Sequence, residues 1–75
     1  MLYIRVKILR ADNDITQQEI ADYLGVSRSA YKNYENGERG IPIEILSKIA
    51  DYYHTSTDFL IGRTDIKEPY SKPKK

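Results

Sequence analysis

The chain has 75 residues, with 12 Lys and Arg against 11 Asp and Glu, one His and no Cys. That length allows one small domain, near the size at which a single core only just suffices, and the missing thiols exclude disulfides, zinc–thiolate sites and a cysteine nucleophile. A net charge of +1 does not announce a nucleic-acid binder, so such a function requires the basic groups to be gathered on one face.

Arg5, Lys7 and Arg10 interrupt the apolar residues of the N-terminus, which therefore fits neither a signal peptide nor a membrane span. A soluble, cytoplasmic protein with no membrane partner is expected. Leu2, Val6 and Leu9 recur at i, i+4 and i+7, predicting a first helix over about 2–11 with that stripe inward. Asp12-Asn13-Asp14 is a polar turn, and Ile15 precedes Thr16 as a staple. Thr16 with Glu19 three positions on forms a capping box, so a second helix starts there. Ile20, Ala21 and Leu24 give it one apolar face, and Gly25 offers a left-handed stop.

Ser27 is a fresh N-cap only two positions after Gly25. A helix stopped and restarted so quickly must turn a corner, and the two helices can touch closely only across a small residue, Ala21. The third helix packs through Ala30, Tyr31 and Tyr34 and stops at Gly37. Arg28, Ser29, Lys32 and Asn33 are left on its outer face. Arg and Asn are side chains that fork onto guanine and adenine edges in a major groove wide enough for a helix.

Glu38-Arg39-Gly40 is an exposed loop, and Pro42 suits a first helical position. Ile43, Leu46, Ile49, Ala50 and Tyr53, with Ile45 also available, define a broad apolar face on a fourth helix over 42–53. The lone His54 has neither Cys nor a paired carboxylate motif to make a metal site with. It is expected at the helix end, interacting with the dipole. Ser56 caps a short fifth helix, 57–61, stopped by Gly62. From Arg63 onward Pro69 and Pro73 alternate with Lys67, Lys72, Lys74 and Lys75, which predicts a basic tail over 63–75 after a domain over 1–62.

Thr16-Gln17-Gln18-Glu19-Ile20-Ala21, Leu24-Gly25-Val26-Ser27 and Tyr34-Glu35-Asn36-Gly37 resemble the helix-turn-helix of the phage Cro and repressor family, the xenobiotic-response-element (XRE) family of bacterial regulators. The resemblance covers residues 5–62 and implies an all-α, lambda-repressor-like domain of five helices, with the helix-turn-helix at helices two and three. It implies base reading by Arg28 and Ser29 in the first turn, which enters a groove deepest, and by Lys32 and Asn33 in the next. Gln17 is implied to brace the DNA backbone, with Asn36, Tyr31 and Arg39 as further phosphate contacts. Tyr31 departs from the aliphatic residue usual in the family; its ring can be buried and its hydroxyl sent to a phosphate or a backbone carbonyl. Arg10 could touch a phosphate, but the resemblance implies an internal pair with Glu35. Phe59, Leu60 and Ile61 either complete the core or, with Tyr53, form a self-complementary dimer patch, as the resemblance suggests.

The acids lie dispersed at no catalytic spacing, and a chain this small offers little concavity, so an enzyme is not expected, nor is a cofactor. The expected function is sequence-specific duplex binding by a homodimer that regulates transcription, most simply as a repressor, in a bacterial or phage setting at the nucleoid. An antitoxin or a restriction–modification controller would use the same binding mode. A protein-interaction module that has lost DNA is the rival reading, and an additional protein partner stays open.

Overall fold

The computed structural model describes residues 3–68. Five helices follow one another: α1 (Ile4–Asp12), α2 (Gln17–Leu24), α3 (Arg28–Glu35), α4 (Ile43–Tyr52) and α5 (Thr57–Leu60). There is no strand among the described residues, and no helix there is long and apolar enough to cross a membrane. Leu2 and the Pro69, Lys72, Pro73, Lys74 and Lys75 positions lie outside the described residues.

Three helix starts follow from side-chain chemistry. Thr16 Oγ1 accepts from the Glu19 N–H at 3.0 Å while Glu19 Oε1 accepts from the Thr16 N–H at 2.9 Å, a reciprocal cap that satisfies two otherwise orphaned donors. Ser27 and Ser56 accept from Ala30 and Phe59. Pro42 sits one position earlier than expected. It is the extended N-cap of α4 (φ −58°, ψ 148°) with no side-chain hydrogen bond, so α4 begins at Ile43.

All five helices end alike. In each, a left-handed residue donates its N–H three residues back and its successor donates five residues back, which ties up carbonyls the helix leaves open. Gly25, Gly37 and Gly62 provide the positive φ after α2, α3 and α5, and Asp14 (φ 55°) and His54 (φ 54°) provide it after α1 and α4. The longer bonds are Ile15→Arg10, Val26→Ala21, Glu38→Asn33, Thr55→Ala50 and Arg63→Asp58, at 2.8–3.1 Å. His54 is thus a backbone-geometry residue, a role that its place beside a helix dipole did not indicate.

The inward faces of all five helices share one core: Val6, Leu9, Ile20, Ala21, Leu24, Tyr31, Leu46, Ile49, Ala50, Tyr53 and Leu60. Tyr53 (8 % exposed) and Leu60 (1 %) belong to this core, which takes both out of the expected dimer patch. Their apolar area is buried within one copy. Phe59 and Ile61 are only partly buried. The segment after Gly62 does not simply leave the domain. Arg5 donates to the carbonyls of Phe59 (2.8 Å) and Thr64 (2.6 Å) and to Asp65 Oδ1 (2.7 Å), with its guanidinium 4.1 Å from the Phe59 ring centroid. The Thr55 hydroxyl donates to the Lys67 carbonyl.

Candidate nucleic-acid interface

α2 and α3 pack against each other, and Ala21, the small residue expected at their crossing, has no exposed surface; a larger side chain there would overpack the core. The corner fixes which way α3 faces. Tyr31, Tyr34 and Glu35 point inward. Arg28, Ser29 and Lys32 are exposed and Asn33 is half-buried. Arg28 and Lys32, and likewise Ser29 and Asn33, are one helical turn apart, so the four form a single polar face. Asn36 and Arg39, just past the helix, are also exposed.

Arg28 does not stand alone. It lines an open groove with Arg10, Thr16, Gln17 and Gln18, which brings the first turn of α3 beside the N-terminus of α2. The first N–H groups of a helix lack intrahelical partners and carry the positive dipole end, so this groove favours an anion. Gln18 takes part in its wall and donates to Asp22 Oδ1 at 2.7 Å. In the sequence, Gln17 and Gln18 open this helix, with a backbone contact implied for Gln17 only and the capping role alone for Thr16; the groove brings all three together.

Beneath the groove lies a charged network with Glu35 (2 % exposed) at its centre. Arg10 approaches in a fork, Nε to Oε2 at 2.7 Å and Nη2 to Oε1 at 3.0 Å, and also donates from Nη1 to the Ile15 carbonyl at 2.9 Å. The Tyr31 hydroxyl donates to Oε2 at 2.8 Å and Gln17 Nε2 to Oε1 at 3.2 Å. A buried carboxylate is tolerable only when so matched. Burial alone pushes the Glu35 carboxyl up, but the hydrogen bonds from Arg10, Tyr31 and Gln17 outweigh it and hold the group below the usual range. Burial, then the Glu35 carboxylate, pushes the Tyr31 phenol far up, so it remains a donor.

This network corrects one expectation. Tyr31 has no exposed surface and its hydroxyl is bound to Glu35, so it reaches neither a phosphate nor a backbone carbonyl. Arg10 is held by Glu35, whereas Arg28, the groove's other cation, has no ion-pair partner among the described residues.

A family model described as helix-turn-helix matches residues 6–60. The chain belongs to the XRE-type helix-turn-helix family of transcriptional regulators. It is similar to the regulator AnsR of Bacillus subtilis, 38% identical over 64 residues, covering 85% of this chain and 55% of AnsR. It is also similar to the cryptic phage CTXphi transcriptional repressor RstR of Vibrio cholerae, 51% identical over 49 residues, covering 64% of this chain and 43% of RstR. Among solved structures the SinR protein/SinI protein complex matches with a TM-score of 0.71 and 26% identity, over 81% of this chain and 60% of that one. This XRE-family chain thus spans about half the length of the curated relatives it matches. The fold is lambda-repressor-like, and DNA-binding regulation is the family's common ground.

Proposed function

We propose that this XRE-family regulator binds duplex DNA sequence-specifically as a homodimer and represses transcription by occupying a pseudo-palindromic operator. One observation carries the reading: the outer face of α3 is bare, polar and cationic, and its first turn shares a groove with the amide-lined N-terminus of α2. In this reading Arg28 and Ser29 meet base edges first and Lys32 and Asn33 one turn later, while Gln17, Asn36 and Arg39 contact phosphates. The similarity to RstR, a transcriptional repressor, supports the repressor sense. Of the expected dimer patch, Phe59 and Ile61 keep exposed surface for a two-fold contact. The SinR–SinI complex supports a protein partner as a further route of control.

Selection of bound duplexes from a random pool at two salt concentrations tests the reading. Two-fold symmetry requires half-sites about one turn, roughly 34 Å, apart. About six phosphate contacts would weaken binding around a thousandfold between 50 and 200 mM salt. A pool left unenriched at both salts would favour the protein-interaction module instead.

A further inference from the structure

We propose that Tyr31 is a positioning residue, whose hydroxyl acts through Glu35 to hold the Gln17 amide in the orientation that meets DNA phosphate. The inference rests on the DNA-binding reading above. Tyr31 itself is wholly buried and 0% exposed, so it touches no DNA.

Each Glu35 oxygen accepts two donors. Oε2 is held by Arg10 Nε at 2.7 Å and the Tyr31 hydroxyl at 2.8 Å; Oε1 is held by Arg10 Nη2 at 3.0 Å and Gln17 Nε2 at 3.2 Å. Three helices therefore converge on one carboxylate, with α1 contributing Arg10, α2 Gln17 and α3 Tyr31. Gln17 makes the longest of the four bonds, so it is the first to be lost if the carboxylate shifts. Without the phenol, Oε2 is bound by Arg10 alone, whose side chain is 19% exposed against 1% for Glu35. The carboxylate is then free to follow Arg10 and leave Gln17.

The two N–H bonds of a carboxamide are fixed relative to each other in one plane. Anchoring one on Glu35 sets the direction of the other, and Gln17 lines the groove beside Gln18 and Arg28. A phosphate arriving there meets a donor already oriented, which raises affinity by removing the entropy of ordering it. Packing alone does not call for this hydroxyl, since an aliphatic or phenyl group fills an apolar site without needing a partner.

The test is a double-mutant cycle on affinity for a duplex recovered by selection, using Tyr31→Phe, Gln17→Ala and the double variant, with thermal melts alongside. Tyr31→Phe is expected to weaken binding about 3- to 10-fold for every duplex without changing their ranking, and to have no further effect in the Gln17→Ala background. Tyr53→Phe, the removal of another core phenol hydroxyl, is expected to leave affinity unchanged. Losses that multiply in the double variant overturn the proposal, as does unchanged affinity in a folded Tyr31→Phe protein. Should Tyr31→Phe fail to fold, side-chain amide relaxation in the wild type decides. Rigidity of Gln17 equal to that of the α2 backbone supports the anchor, and free rotation overturns it. A wild type that prefers no duplex over random sequence overturns the DNA reading together with this inference, which sets that failure apart from a missing coupling in a protein that binds.

Discussion

Two buried tyrosine hydroxyls in one small core have opposite circumstances. The Tyr31 hydroxyl donates to Glu35, whereas the Tyr53 hydroxyl is buried with no hydrogen-bond partner among the described residues; burial pushes the Tyr53 phenol up to about 12. Tyr31→Phe is expected to lower unfolding stability by about 1–3 kcal/mol, because a charged acceptor loses a donor, while Tyr53→Phe should be neutral or stabilising, because a desolvated hydroxyl is removed. Urea melts of the two variants check the contrast. Glu35 adds a pH dependence. Its carboxyl is held below the usual range in the folded state, so its contribution is complete above the ordinary carboxylate value of about 4.3 and fades as pH falls through the lowered native value. Melting temperatures should be flat from neutral pH to about 5 and then decline, with the decline reduced in Glu35→Gln from its own lower starting point. At this scale the sequence disclosed part of the site. The 3.6-residue period marks Tyr31 as inward, but the destination of its hydroxyl depends on Arg10 and Gln17, brought in by chain folding from two other helices.

Helix endings account for much of the fold's definition. A Cβ built on Gly25 meets nothing within 4 Å, so Gly25→Ala is a pure backbone substitution at φ 74°. It should cost about 1–2 kcal/mol, measured by chemical denaturation. His54→Gly relieves the corresponding strain at φ 54° but adds freedom to the unfolded chain, so a gain under about 1 kcal/mol is expected. The glycine stops and the serine and threonine caps were legible because each residue type has one strong local preference. Asp14 and His54 were not, since neither type demands the left-handed region; the five-residue N–H→O=C bonds behind them are set by where the next helix must go. Pro42 likewise fits two adjacent positions, and only the extended φ and ψ fix it as the cap.

For the molecule as a whole, apolar excess in residues 59–61 could not tell a core from a contact surface. Leu60 closes the core against α1, while exposed apolar surface lies elsewhere, on Ile4 (52 %) and Ile8 (47 %) among others. The segment after α5 is held by Arg5, so Arg5→Ala should speed amide hydrogen exchange at residues 63–67 and leave α3 protected; equal exchange in both proteins would show that the strap needs no clasp. In the proposed mode of binding, α3 reads bases while the N-terminus of α2 holds phosphates. Its most direct test is the affinity of wild type, Arg28→Ala and Gln17→Ala across an operator and its single-base variants. Arg28→Ala should flatten the preference at one base pair, worth about 1–3 kcal/mol, and Gln17→Ala should weaken all duplexes alike. If both variants lower affinity while the ranking of duplexes stays that of the wild type, α3 does not read bases through Arg28.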